Sequence, residues 1–203
     1  FLAPWPGGWW RLGDAVAYEL SSFRSLLRTA SLHRAEVLTF RNAICRREVR
    51  RGQSQAPYYF VLPPGQRDRG EWVKLVDLLV EHGVRMFTVP TRVTAGGRHF
   101  EPGSVVIPLA QPYRPFIKEV MEKQRFPVRH FTPDGEMIEP YDITSWSLPL
   151  HRGVASEQVD TRVPELEAVL QPVEGAFQPL ASAATLAAGT WGVAFSANEN
   201  EAF

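Results

Sequence analysis

The apolar positions between residues 14 and 51 repeat with the period of a helix. No proline or glycine interrupts this stretch, and apolar residues recur in steps of three, four and seven at Val16, Leu20, Phe23, Leu27, Ala30, Val37, Phe40 and Ile44. Such spacing places them on one face of an α-helix, which we expect Asp14 to cap and Gly52 to end. At about 1.5 Å per residue the helix would span roughly 55 Å, so we predict that it lies across a neighbour or bends near residues 31–33.

Beyond Pro57 the pattern changes to short apolar runs separated by turns. Residues 58–62 form a continuous apolar run, which is typical of a strand buried on both faces. Asp68 and Glu71 then have the spacing of a capping box at the start of a helix that ends at Gly83. With a second strand at residues 84–89, the lengths match a parallel strand-helix-strand crossover.

The following segment continues the alternation of strands and helices. Gly96 and Gly97 predict a hairpin turn, residues 104–109 a strand and residues 113–124 a further helix. We therefore predict an α/β fold with an open, largely parallel sheet, either flavodoxin-like or class I amidotransferase-like, preceded by a long α-helix. The fold is expected to be incomplete at both ends.

Three regions follow from this pattern. Residues 1–52 are predicted to be a Trp-rich loop and long helix linking to an upstream domain, and residues 53–154 an α/β accessory domain. Residues 155–203 are expected to be an extended linker and the start of a further strand-helix unit, whose strand is Trp191-Gly192-Val193-Ala194-Phe195. The tryptophans Trp5, Trp9 and Trp10 surround a Pro-Gly-Gly loop, so we expect them to cover the long helix or a domain interface.

Charge and cysteine content exclude several classes of function. The chain has 22 basic and 22 acidic residues, so no overall basic field favours a nucleic-acid or membrane partner. No apolar run has the length of a membrane span, and the single Cys45 excludes an intrachain disulfide. Neighbouring arginines would lower the pKa of the Cys45 thiol and make it more reactive, but nucleophiles usually lie at tight turns and Cys45 lies within the predicted helix, so a packed thiol is favoured.

Common catalytic motifs are absent from the sequence. It contains no P-loop, dinucleotide fingerprint, nucleophile elbow or helical zinc motif. His33 and Glu36 have an i, i+3 spacing that would suit two metal ligands, with His130 or His151 as a third, but a solvent-facing histidine is the favoured interpretation. We therefore predict neither a metal site nor a cofactor in this chain.

One group of polar residues is a candidate ligand site. Gln66, Arg67 and Asp68 follow the first predicted strand, and Gln111 and Arg114 follow the strand at 104–109. In parallel sheets ligands bind at the carboxyl ends of strands, so these residues would share a crevice that holds a carboxylate. The alternative is that Asp68 only caps its helix and the arginines are solvated.

Several separated motifs resemble one family. They are Pro4-Trp5-Pro6-Gly7-Gly8-Trp9-Trp10, Tyr59-Phe60-Val61-Leu62-Pro63 with Gln66-Arg67-Asp68, Ala95-Gly96-Gly97, Pro102-Gly103-Ser104-Val105-Val106, Leu109-Ala110-Gln111-Pro112 and the segment YDITSWSLPL at 141–150. Over about residues 3–154 the chain resembles the region downstream of the catalytic domain in bacterial zinc carboxypeptidase-like proteins of the M14 peptidase family.

The resemblance implies a parent enzyme and a non-catalytic fragment of it. In the family a zinc held by two His and one Glu, a general-base Glu and a substrate-clamping Arg lie upstream of the position that matches Pro4, so none is carried onto this sequence. The downstream region resembles a glutamine amidotransferase-like α/β fold, although no cysteine follows a strand here. The implied partners are the upstream catalytic domain and the peptide whose C-terminal residues the parent hydrolyses, and the implied location is secreted or periplasmic.

Two other functions remain open at the level of sequence. One is a stand-alone module that binds a carboxylate or a sugar at Gln66, Arg67, Gln111 and Arg114. The other is an architectural assembly domain built on the tryptophan cluster.

Overall fold

The computed structural model describes residues 8–124, 128–138 and 146–179 of the chain. The chain divides into two compact units, 1–44 and 45–203, and the division falls inside the second helix. The predicted strand at Trp191–Phe195 and the interface residue Trp5 lie outside the described residues. The elements, in chain order, are α1 Leu12–Leu32, α2 Arg34–Ser54, β1 Tyr59–Leu62, α3 Arg69–Glu81, β2 Phe87–Thr88, β3 Val93–Ala95, β4 Arg98–Phe100, β5 Val105–Pro108, α4 Arg114–Met121, α5 Leu148–Arg152, β6 Glu157–Val159, α6 Pro164–Glu167 and β7 Gln171–Pro172.

The predicted long helix is present and is interrupted where a bend was expected. His33 separates α1 from α2, with φ −103° and ψ 22°. Both predicted ends differ from the structure. The first helix begins at Leu12, so Asp14 lies in its first turn and accepts a hydrogen bond from the Arg11 N–H at 2.9 Å. The second helix continues past Gly52 to Ser54.

The sheet of the second unit is antiparallel, which corrects the prediction of a largely parallel sheet. Among the described residues it has five strands, in the order β6-β1-β5-β2-β7, and each neighbouring pair is antiparallel. Because β1 and β2 are both antiparallel to β5, they run in the same direction with β5 between them. The predicted strand-helix-strand unit therefore exists as a split crossover, with a later strand inserted into its gap.

Two hydrophobic layers cover the two faces of this sheet. On one face Phe60 and Leu62 of β1 pack with the buried residues of α3 and α4, including Trp72 and Ile117. On the other face Tyr59 and Val61 pack with residues from the β3-β4 hairpin and α6. A central strand that is covered on both faces is apolar throughout, whatever the direction of its neighbours.

The two edge strands come from the segment that was predicted to be a linker. β6 pairs with β1 through Tyr59–Val159, and β7 pairs with β2 through Phe87–Pro172. The described part of residues 155–179 thus belongs to the same sheet as residues 59–108, rather than to an extended connection.

Candidate functional site

The two predicted ligand loops lie at opposite ends of the sheet. In the antiparallel register Leu62 pairs with Val105 and Tyr59 pairs with Pro108. The end of β1, which leads to Gln66, is therefore beside the start of β5, and the end of β5 is beside the start of β1. The prediction of one shared carboxylate crevice is wrong, because it required the two strands to be parallel.

The residues after β1 make local structural contacts. The Gln66 side chain donates to the carbonyls of Pro63 at 2.7 Å and Ala155 at 3.1 Å, and its oxygen accepts from the Ala155 N–H at 2.8 Å. Asp68 accepts a hydrogen bond from the Glu71 N–H at 3.0 Å, as the capping interpretation predicts. Arg67 is exposed. The Gln66 amide thus joins the end of β1 to the segment that precedes β6.

Gln111 is also used as a structural connector. It is buried, and its oxygen accepts from the Arg85 N–H at 2.9 Å. Its amide nitrogen donates to the carbonyls of Arg85 at 3.0 Å and Pro108 at 2.6 Å. Because the side-chain oxygen and nitrogen of Gln111 both form hydrogen bonds with backbone groups, the side chain links the end of β5 to the segment before β2.

Arg114 joins a buried ionic cluster around Glu48. Glu48 is 2% exposed, and its Oε1 accepts from Arg51 at 3.0 Å and from Arg47 at 3.2 Å. Arg114 lies with its guanidinium 3.8 Å from the Glu48 Oε2 and donates to the Ala56 carbonyl at 3.2 Å. Glu48 was not singled out from sequence, although it is the lone acid among the arginines at 46, 47, 50 and 51.

The helix end beside this cluster approaches the backbone of the sheet very closely. An added Cβ on Gly52 would lie 2.0 Å from the Leu109 carbonyl oxygen and 2.5 Å from the Ala110 nitrogen. Gly52 is therefore required for close packing and does not terminate the helix. Together, Glu48 and Gly52 fix the end of α2 to the end of β5.

A second polar cluster lies on the face of the sheet that carries Tyr59 and Val61. The Tyr59 hydroxyl donates to Glu167, which also accepts two hydrogen bonds from Arg162 at 3.1 and 3.0 Å. Burial, with the contact to Glu167, raises the pKa of Tyr59 from 10.0 to about 12. The hydrogen bonds from Arg162 lower the pKa of Glu167. A pocket of about 210 Å³ lies beside these three residues and is also lined by Gly52 and Tyr58.

A larger pocket of about 630 Å³ lies near the β6 edge of the sheet. Its lining includes Phe60, Arg98, Lys123, Ser147 and Glu157. Arg98 is 3.7 Å from Glu157, and within the described part of the chain the buried Ser147 hydroxyl has no hydrogen-bond partner.

His33 and Glu36 of the first unit form an exposed pair. His33 and Glu36 contact each other at 3.0 Å, and both side chains are exposed. Among the residues that the structure describes, no three His, Cys, Asp or Glu side chains come together as a potential metal centre.

The first unit instead presents a long apolar surface. No residue of α1 is buried, although the helix carries Val16, Leu20, Phe23 and Leu27 along one side. Trp10, just before the helix, contacts Tyr18 of α1 with ring centroids 5.2 Å apart, and it remains 45% exposed. Trp9 is 87% exposed, contrary to the expectation that it covers the long helix or an interface.

No described helix has the length and apolar character needed to cross a membrane.

Comparisons with known proteins do not extend these observations. Neither a family model, nor a curated protein, nor a solved structure matches this chain.

Proposed function

We propose that this chain is a non-catalytic accessory region of a zinc carboxypeptidase-like parent of the M14 family, and that its own role is assembly. The motifs spread over residues 3–154 support the choice of parent. Hydrolysis of C-terminal residues is assigned to an upstream catalytic domain of the same protein, which is the first partner of this region. A secreted or periplasmic location belongs to the same proposal.

The exposed face of α1 is the observation that carries the assembly role. A helix of 21 residues with several large aliphatic and aromatic side chains, none of them buried, leaves a contiguous apolar stripe in water. Monomeric proteins seldom expose contiguous apolar surface on this scale, and such patches mark sites of association. The stripe therefore favours a function in which α1 is covered by another polypeptide.

The polar residues of the second unit support the non-catalytic part of the proposal. Gln111 is bonded to backbone on both of its side-chain atoms, and Glu48 is held by arginines. Glu71 is bound by Arg152 at 2.7 Å and Lys74 at 3.2 Å. Burial would raise the pKa of Glu71, but these two cations lower it. With its pKa lowered in this way, Glu71 is suited to a structural ion pair, because a general base needs a pKa close to the working pH.

Zinc content and peptidase activity test the proposal directly. We expect the purified chain, dialysed against zinc, to hold well under one equivalent by elemental analysis and to release no C-terminal residue from a blocked dipeptide. A His33→Ala variant should behave identically to the wild type, and His99→Ala serves as the matched control on an exposed histidine. One zinc per chain that is lost in His33→Ala but kept in His99→Ala would overturn the proposal.

The gene provides an independent test. The proposal expects the reading frame upstream of the Phe1 codon to encode an H-x-x-E motif with a later His and Glu. An upstream reading frame that lacks these residues would remove the carboxypeptidase parent, while leaving the exposed face of α1 to be explained.

A further inference from the structure

The apolar residues of α1 follow a heptad pattern. Val16, Phe23 and Ala30 are seven residues apart, and Leu20 and Leu27 occupy the second series four residues after the first two. These are the d and a positions of a coiled coil. The opposite side of the helix is mainly polar, with Ser21, Ser22, Ser25, Arg28 and Thr29, and it also carries Tyr18 and Leu32. The repeat is therefore a seam and not a generally apolar helix.

The side chains on this seam are open to solvent throughout. Their exposed fractions are 58% for Val16, 46% for Leu20, 57% for Phe23 and 55% for Leu27. The face also contains a groove of about 530 Å³ lined by Leu12, Ala15, Val16, Glu19, Leu20 and Phe23. Four of these, at 16, 19, 20 and 23, are spaced i, i+3, i+4, i+7, which is the hole that receives a knob residue in a coiled coil.

The charges beside the seam indicate what covers it. Glu19 immediately precedes the a position Leu20, and Arg24 immediately follows the d position Phe23. In a parallel two-stranded coiled coil these g and e positions face each other between chains, five residues apart. Two copies of α1 would therefore place Glu19 of each chain opposite Arg24 of the other. The stripe is thus charge-complementary to itself in the parallel orientation.

The seam also has a defined end. The next two a positions after Leu27 are occupied by Arg34 and Arg41. His33 also interrupts the helix just before Arg34. Arginines at core positions are costly to bury, so the contact should stop near Ala30. The association is accordingly short, about two heptads.

We propose that α1 forms a parallel two-stranded coiled coil with a second copy of this chain, in which Leu20 of each copy enters the hole formed by Val16, Glu19, Leu20 and Phe23 of the other. The proposal rests on the assembly role proposed above and names its partner. It implies that the parent protein would be joined as a homodimer through this helix.

The oligomeric state of the whole 203-residue chain tests the proposal. A contact of two heptads is weak, so sedimentation equilibrium should cover concentrations from about 5 to 500 µM. We expect the mass to rise with concentration from 22.9 kDa toward twice that value. Leu20→Glu should weaken the dimer at least about ten-fold, because it places a carboxylate in the hole. Leu32→Glu makes the same change from leucine to glutamate on the opposite face, and it should leave the dissociation constant within about two-fold of the wild-type value.

Charge exchange and crosslinking test the orientation. Glu19→Arg should weaken the dimer several-fold by setting arginine against Arg24, and Glu19→Arg combined with Arg24→Glu should restore it. In a Cys45→Ser background, Val16→Cys should oxidise to a covalent dimer, since equivalent d positions meet only when the helices are parallel. Absence of that crosslink in a chain that dimerises would overturn the parallel arrangement.

Two further outcomes would overturn the proposal as a whole. A chain that stays monomeric at all concentrations would assign the stripe to another partner, and a dimer unaffected by Leu20→Glu would use a different surface. Either result leaves the zinc and peptidase test untouched, so failure of the coiled coil is distinguishable from failure of the accessory-region assignment.

Discussion

Replacing Gly52 with alanine tests the close packing between the end of α2 and β5. The new Cβ would lie 2.0 Å from the Leu109 oxygen and 2.3 Å from its carbonyl carbon, whereas ordinary contact begins near 3.4 Å. The atoms that it meets are backbone, and the Leu109 N–H is itself bonded to the Tyr58 carbonyl at 2.9 Å. The strand end therefore cannot swing aside, and α2 must withdraw by more than 1 Å, roughly the missing distance.

Two opposing effects set the magnitude. Alanine is favoured over glycine inside a helix by about 1 kcal/mol. Overpacking a close contact typically costs about 1–3 kcal/mol, and more when backbone must move. Withdrawal of α2 would also stretch the contact between Glu48 and Arg114, which is already 3.8 Å. With the overpacking cost at its upper end and the helix-propensity gain subtracted, we expect a net loss of about 2 kcal/mol, or a fall of about 4–8 °C in Tm for a chain of this size.

Urea and thermal unfolding, followed by circular dichroism, measure this change. Gly65→Ala is the matched control, because nothing lies within 4 Å of its added Cβ and its backbone is outside the left-handed region. It should alter the free energy of unfolding by no more than about 0.5–1 kcal/mol. If Gly52→Ala were as stable as the wild type, or about 1 kcal/mol more stable as helix propensity alone predicts, the packing argument would be refuted.

Two other predictions concern the buried polar clusters. Glu48→Gln should destabilise the fold by about 2–4 kcal/mol in urea unfolding, because it leaves the Arg114 guanidinium buried without its carboxylate, and adding Arg114→Met should recover part of the loss. Since the pKa of Tyr59 is raised from 10.0 to about 12, its protonated hydroxyl stabilises the folded state fully below pH 10. This contribution is lost as the pH rises through 12. Tyrosinate absorbance should show one tyrosine that ionises last and is missing in Tyr59→Phe; simultaneous ionisation of all tyrosines would contradict this.

Local features of the fold were predictable from neighbouring residues. Asp68 caps α3 because its carboxylate reaches the N–H three residues later, and Gly96 and Gly97 turn the hairpin because both adopt positive φ, 59° and 72°. The interruption of the long helix near residues 31–33 and the strand at 104–109 also follow from sequence patterns of a few residues. Such features depend on contacts within one turn or one strand, so they can be predicted from the sequence directly.

The direction of the strands depended on contacts that are remote in sequence. A continuous apolar run such as residues 59–62 records that both faces of the strand are buried, and it carries no information on whether its neighbours are parallel. The insertion of β5 between β1 and β2 decided that question, and with it separated Gln66 from Gln111. The candidate crevice failed for this reason, although the strands on which it was based are present.

The roles of individual polar residues were decided in the same way. Gly52 resembles a helix stop in sequence, and only the carbonyl of Leu109, 57 positions later, makes it a packing residue. Glu48 and Arg114 likewise become partners through the packing of α2 against the end of the sheet. The sequence by itself determined the longer helices, the hairpin turn and the apolar face of α1, because these depend on periodicity and on local backbone geometry. Tertiary structure alone decided strand order and buried ionic partners, because those depend on which distant surfaces exclude water from each other.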